Sequence, residues 1–367
     1  MKASLLVLAV VSLAYLLFWP VPIDPVAWQA PKNRGYLPPF EANTVLDNVQ
    51  RLRLQDEGPE MLAVSPEGQV HMAMLSGAID RLNARGQVET WVNTGGRPLG
   101  MAFDVQGDLI VADAFQGVLR IDAEGEQTPV LTHVGEQPLR YANSVAIGPD
   151  GTLYVSESTQ RHAAAEYGTY QASLLDINEH GGSGRVLAVS PDGEEVKELV
   201  TGLNFANGVA VLPSGEALLI SETGRYRVLK HHLQGERAGE TEVLISNLPG
   251  FPDNLNPGPD GLFWLGLVSP RSAPLDSLSN WPYLRKVVQR LPAFVRPQAR
   301  PYGHLVGFDE QGVIHHNLQG PSGHYAYITG AVVSGRWLYL SSLHEDALGR
   351  LPWPIPVTTS AYRVADR

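Results

Sequence analysis

Leu248-Pro249-Gly250-Phe251-Pro252-Asp253-Asn254-Leu255 runs into Gly258-Pro259-Asp260-Gly261 and then into the apolar stretch Leu262-Phe263-Trp264-Leu265-Gly266-Leu267. An Asp and an Asn stand side by side ahead of a tight turn and a buried strand, so their oxygens are offered from a stiff support. The turn recurs as Ser65-Pro66-Glu67-Gly68, Asp104-Val105-Gln106-Gly107, Gly148-Pro149-Asp150-Gly151, Leu212-Pro213-Ser214-Gly215 and, more weakly, Val332-Val333-Ser334-Gly335. With Gly261 this makes six copies, whose closing glycines are 39, 44, 64, 46 and 74 residues apart. A period of about 40–45 residues with four strands per unit marks the blades of a propeller.

The segments after the turns support that reading. Leu109-Ile110-Val111-Ala112-Asp113, Leu153-Tyr154-Val155-Ser156-Glu157, Leu218-Leu219-Ile220-Ser221-Glu222 and Trp337-Leu338-Tyr339-Leu340-Ser341 are nearly continuous apolar strands. Strands of this kind are covered on both faces, as stacked blades require. The carboxylates that close three of them, with basic residues following at Arg120, Arg161, Arg225 and Arg227, read as ion pairs or turn caps inside each blade. The two long spacings hold insertions. One covers residues 159–184, with a short helix expected over 161–167, and the other covers 270–301, with a helix expected over 284–291 that breaks at Pro292.

Eight residues before each closing glycine stand Glu60, Leu99, Asn143, Asn207, Asp253 and Tyr327. Four of these six carry a carboxylate or carboxamide oxygen. In a closed ring, equivalent positions of successive blades meet at the central channel, so Glu60, Asn143, Asn207 and Asp253, with Asn254 adjacent, are expected to converge. Two carboxylates and neutral amide oxygens suit a hard cation, Ca²⁺ above others, because it accepts about six to eight oxygens in irregular geometry. No Cys or His shares this register, which disfavours Zn²⁺ and copper. The competing reading is that these Asn and Asp residues are ordinary turn formers.

A chain of 367 residues with 37 Gly, 28 Pro and few long amphipathic runs fits a closed all-β repeat fold. A formal charge of -11 and the lack of clustered Lys and Arg exclude a nucleic-acid surface. With no Cys, disulfides and thiolate chemistry are ruled out. Residues 1–23, with Lys2 ahead of the apolar run 3–18, read as an uncleaved transmembrane signal anchor. A cleaved signal peptide and a buried terminal segment are the alternatives. Lys2 on the short side places the bulk of the chain on the extracytoplasmic side, membrane-anchored. Residues 24–43 are Pro-rich and polar and read as a tether, residues 44–357 as the propeller, and residues 358–367 as a C-terminal tail. Within the propeller, residues 44–54 are expected to give a first strand that completes the last sheet.

The segments Gly96-Arg97-Pro98-Leu99-Gly100-Met101-Ala102-Phe103-Asp104, Asp108-Leu109-Ile110-Val111-Ala112-Asp113-Ala114, Ala142-Asn143-Ser144-Val145-Ala146, Asn204-Phe205-Ala206-Asn207-Gly208-Val209 and Leu248-Pro249-Gly250-Phe251-Pro252-Asp253-Asn254 resemble the strictosidine synthase-like proteins. That group includes the adipocyte plasma membrane-associated protein and lies within the superfamily of gluconolactonases, paraoxonases and diisopropyl fluorophosphatase. The resemblance covers roughly residues 22–352. It implies an all-β, six-bladed propeller with Ca²⁺ in the channel, held by residues matching Glu60, Asn143, Asn207 and Asp253, with Asn254 as a further ligand.

The departures narrow the chemistry. Thr329 or a neighbour stands where true strictosidine synthases carry a catalytic Glu, and no acidic residue lies between Glu310 and Glu345, which disfavours their condensation reaction. The paraoxonase His pair is replaced near Leu99 and Ala114. No Gly-x-Ser-x-Gly elbow accompanies Ser156, Ser221 or Ser341, so a Ser-His-Asp hydrolase is disfavoured. What remains is a calcium-dependent hydrolase of small-molecule esters or lactones, with the cation polarising the carbonyl and Asp253, its carboxyl held low by the ion, as base or nucleophile. Leu99, His304 and Tyr327 are expected to line the substrate pocket. The alternative is a non-catalytic propeller whose calcium braces the channel while its face binds a ligand or a protein partner.

Overall fold

A computed structural model of the chain describes residues 2–83, 85–355 and 362–363. All six expected turns form, and their closing glycines, Gly68, Gly107, Gly151, Gly215, Gly261 and Gly335, all take positive φ between 56° and 93°. This is the left-handed region that glycine enters without steric cost. Each turn joins the first two strands of one antiparallel sheet, and six such sheets are arranged around an axis.

Blade 1 comprises Leu62–Val64, Val70–Ala73, Ala78–Leu82 and Val88–Asn93. Blades 2 to 5 begin with the inner strands Pro98–Phe103, Ala142–Ile147, Ala206–Val211 and Gly250–Pro257, and blade 6 begins with Ile328–Ser334. Each inner strand packs beside the next, and blade 6 packs back on blade 1. The ring is closed by Gln50–Arg53, which pairs antiparallel with Ala347–Pro352, Gln50 opposite Arg350. The expected first strand therefore completes the last sheet, although Val45–Asn48 ahead of it is a 3-10 turn.

The core lies between blades. Val70 and Met72 of blade 1 pack with Val332, Tyr339 and Leu348 of blade 6, and Ala63 and Ile79 pack with Met101, Leu109 and Val111 of blade 2. At the axis the inner strands come too close for side chains. A Cβ on Gly208 would lie 2.3 Å from the Leu255 nitrogen, and one on Gly100 would lie 2.4 Å from Ser144 Cα. The carboxylates at the strand ends act as caps. Asp113 Oδ1, Glu157 Oε1 and Glu222 Oε1 accept from the backbone N–H of Arg97 (3.0 Å), Arg140 (2.7 Å) and Asn204 (2.8 Å). Two of the expected ion pairs are replaced, since Arg120 pairs with Asp104 and Arg161 with Glu179.

Both insertions are helical and lie on one face of the ring. The first carries Ala164–Tyr167 and Thr169–Glu179, and the second carries Ala273–Ser277, Pro282–Gln289 and the 3-10 turn Ala293–Val295. The amino-terminal helix covers Lys2–Phe18 and not the expected span to residue 23. Its 17 residues measure about 26 Å at the α-helical rise. Among the described residues no helix is long and apolar enough to cross a membrane, which corrects the expected transmembrane anchor. The physical reason lies in the residues that follow Phe18: Trp19 and Pro20 leave the helix, and Ile23 is buried. Tyr283 Oη, Arg290 Nε and Arg290 Nη1 donate to the carbonyls of Leu17, Trp19 and Leu16, so the second insertion satisfies the helix end.

Residues 24–43 follow the body of the protein and do not hang free as a tether. The Asp24 and Val26 N–H groups donate to Glu179, Trp28 stacks on His180 at 4.0 Å, and Phe40 joins the core beside Phe308. Of the expected tail, only Tyr362–Arg363 is described, as a short strand beside Val313 and Ile314. The rest of residues 358–367 lies outside the described residues.

Candidate metal centre and cavity

Residues of equal register gather at the channel. Glu60 enters blade 1, and Leu99, Asn143, Asn207 and Asp253 sit on the inner strands of blades 2 to 5. All five line one cavity of about 150 Å³. Each of the four polar residues is at most 6 % exposed. Oxygens on all four, Glu60 Oε2, Asn143 Oδ1, Asn207 Oδ1 and Asp253 Oδ1, are buried without a hydrogen-bond partner. Buried polar atoms in native proteins are almost always satisfied, so four orphaned oxygens around one space call for a partner.

The orientation of the two amides follows from their neighbours. Asn143 Nδ2 donates to Ser158 Oγ (2.8 Å), whose own hydrogen goes to the Ala206 carbonyl (2.7 Å). One blade on, Asn207 Nδ2 donates to Thr223 Oγ1 (3.2 Å), which donates to the Pro252 carbonyl (2.7 Å). A hydroxyl whose proton is committed can only accept, so it takes the NH₂ end of each amide and leaves the oxygen without a protein partner. Ser158 and Thr223 carry this function and were not singled out from sequence. The signal is there, however, in the shared Ser156-Glu157-Ser158 and Ser221-Glu222-Thr223, found in the two blades that supply Asn.

Asn254 is turned toward Glu60. Its Nδ2 donates to the Glu60 carbonyl (2.9 Å) and to Glu60 Oε1 (3.2 Å), while its buried Oδ1 has no partner. It does not line the cavity. His304 corrects the expectation more sharply. Its ring is buried with Nε2 2.9 Å from Asn317 Oδ1 and packs against Phe40 and Tyr302, outside the cavity. It lies on Gly303–Phe308, the third strand of blade 5, away from the axis. Tyr327 keeps the inner register but takes a left-handed φ of 53° and sets its ring 4.9 Å from His344, leaving Leu343 to line the wall. Thr329 donates to the Glu60 carbonyl (2.6 Å), so no acid occupies that position.

Electrostatics favour a cation. Burial, and then the negative charge of Glu60, push the Asp253 carboxyl well above the usual carboxylate range. This is opposite to the expectation for an ion-bound group, and it is what two buried carboxylates do to each other in the bare protein. Burial also raises Glu60, partly offset by Arg97. The Arg97 guanidinium, 2 % exposed with Nε and Nη2 unpartnered, supplies the positive charge behind Glu60. Among the described residues no three His, Cys, Asp or Glu side chains gather to hold a metal. The set is two carboxylates with amide oxygens, which fits Ca²⁺ and not a zinc-type ion. The cavity walls are apolar, with Leu99, Phe205, Phe251, Leu275 and Val288 prominent, and both insertions cover them.

A six-bladed propeller with an oxygen-lined pocket at its axis and an apolar vestibule above it is the class this fold and site define. Residues 51–270 match the family model described as SMP-30/Gluconolactonase/LRE-like region, and the chain belongs to that family. It is 34 % identical over 272 residues to Protein STRICTOSIDINE SYNTHASE-LIKE 6 of Arabidopsis thaliana, covering 72 % of this chain and 69 % of the relative. It is 27 % identical to the adipocyte plasma membrane-associated protein of Bos taurus, covering 96 % and 89 %. Among solved structures, regucalcin of Agrobacterium tumefaciens, described as a calcium-binding protein, superposes with a TM-score of 0.57 at 15 % identity, covering 82 % of this chain and 92 % of regucalcin. At that identity the likeness shows the fold alone.

Proposed function

We propose that this protein is a calcium-dependent hydrolase of esters or lactones. The observation that carries the proposal is the set of four orphaned, buried side-chain oxygens on residues that line one apolar-walled cavity. Glu60, Asn143, Asn207 and Asp253 would hold the ion, with the Asn254 carboxamide supporting Glu60. When bound, Ca²⁺ supplies positive charge toward a carbonyl oxygen that becomes an oxyanion.

The chain's own residues do the rest. Ser158 and Thr223 keep the amide oxygens aimed inward, so the site is organised before substrate arrives. Phe205, Phe251 and Leu275 bind the apolar part of the substrate and exclude bulk water. The Asp253 carboxylate, while also serving as a ligand, is the group that would attack the carbonyl or take a proton from the attacking water. Membership of the gluconolactonase family and the calcium binding named for regucalcin support this reading.

The test is a panel of aryl esters and lactones turned over by the purified chain with chelator and with Ca²⁺ restored. Activity that vanishes and returns is expected. Turnover indifferent to chelator refutes the proposal. One observation favours a second reading, a non-catalytic ligand-binding propeller braced by calcium: no His lines the cavity among the described residues, and Tyr141 Oη is committed to the Thr169 carbonyl (3.1 Å). That reading expects chelator to lower the melting temperature with no hydrolysis anywhere in the panel.

We further propose that the protein associates with a membrane through Lys2–Phe18, with the propeller on the extracytoplasmic side. The helix has no buried residue, and its side chains from Leu5 to Phe18 are largely apolar and exposed. The name of the Bos taurus relative supports the membrane association.

A further inference from the structure

The cavity holds one charge that neither the cation site nor hydrolysis uses. Arg296 lines it from the second insertion and is the only Arg or Lys that does so among the described residues. Its side chain is half-buried with Nε buried and without a partner, and among the described residues its guanidinium makes no hydrogen bond, ion pair or ring contact. Three other arginines of the same insertion have partners for at least part of the guanidinium, although Arg285 Nε is also buried without one. Arg271 pairs with Asp276 (2.9 Å), Arg285 donates to the Asn178 carbonyl (2.7 Å), and Arg290 holds the end of the amino-terminal helix. The two carboxylates in the cavity, Glu60 and Asp253, make no ion pair with Arg296. A buried, unpartnered guanidinium nitrogen loses the full desolvation cost of that donor unless a ligand restores the bond.

We propose that Arg296 is the specificity-determining residue for an anionic group on the ligand, and that the cavity takes small amphipathic carboxylates with an aryl or short acyl body. Two features define that chemistry. Guanidinium is planar and offers paired N–H donors that match a carboxylate. Phe205, Phe251, Leu275 and Val288 line the same cavity as Arg296 and the four oxygen-bearing residues, and a cavity of about 150 Å³ holds a body of benzene size. This inference rests on the cavity being the substrate pocket, and it adds that the preferred ester or lactone carries a carboxylate apart from the carbonyl that reacts.

Calorimetric titration of the full chain with 4-phenylbutyrate and with its amide tests the proposal without requiring turnover. Wild type is expected to bind the acid about tenfold more tightly than the amide. Arg296→Met is expected to weaken the acid to the level of the amide and leave the amide unchanged, while Arg296→Lys keeps part of the preference. Repeating the titrations in chelator removes any contribution of a floor cation to carboxylate binding. Equal affinity of the two ligands for wild type, failure of both to bind, or a preference that survives in Arg296→Met overturns the proposal. Acid preference in a chain that hydrolyses nothing would sink the hydrolase reading alone.

Discussion

Asp253→Asn should make the calcium-free protein more stable and the calcium-loaded protein unresponsive. The Asp253 carboxyl is 6 % exposed, its Oδ1 has no partner, and Glu60 adds a second negative charge to the same cavity. A buried group left unsatisfied costs about 1–3 kcal/mol, and the isosteric amide removes the charge while keeping the shape. Near neutral pH in chelator, a gain of about 2 kcal/mol corresponds to about 3 °C in melting temperature for a chain of 367 residues. Calcium at about 100 times its dissociation constant stabilises wild type by about 2.7 kcal/mol, and the variant loses most of that.

The pH dependence has a defined sign. Because the folded-state pKa of Asp253 is raised above its unfolded value, its stabilising contribution is present below the unfolded value and lost as pH rises through the folded one. Chelated wild type therefore weakens with rising pH over that window, and Asp253→Asn flattens the profile. Differential scanning calorimetry with chelator and with calcium measures all three effects. A variant that is less stable than wild type in chelator, or that still gains the full calcium shift, refutes the reasoning.

Ser158→Ala leaves the Asn143 amide and the Ala206 carbonyl without their hydroxyl, so stability should fall by about 2 kcal/mol and calcium affinity with it, measured by denaturant titration and calorimetry. His304→Ala should lower the melting temperature while leaving kcat/KM for any cleaved ester unchanged, because the ring lies outside the cavity, bonded to Asn317. Burial raises the Asp176 carboxyl to about 7, so its contribution is full at acid pH and is lost as pH rises through about 7. Asp176→Asn should remove that slope in urea unfolding midpoints measured across this range.

The turn glycines, the four-strand period and the two helical insertions were legible in the chain itself, because each rests on local rules: positive φ, apolar runs and helix-breaking Pro. Equal register also brought Glu60, Asn143, Asn207 and Asp253 to one cavity, since blade repetition turns sequence offset into position around the axis. His304 and Tyr327 fall outside the pocket for different reasons, one of position and one of orientation. His304 sits on a third strand away from the channel, and a left-handed φ swings Tyr327 onto His344. The end of the amino-terminal helix was likewise decided by packing, through Arg290, Tyr283 and the burial of Ile23, contacts that span about 260 residues or more and leave no local trace. Sequence by itself determined the ring and who stands at its axis, through short-range steric and hydrophobic patterning. Only the tertiary structure decided which oxygens are left bare, which way the amides face and which arginine is unpaired, because those depend on partners supplied by neighbouring blades and insertions.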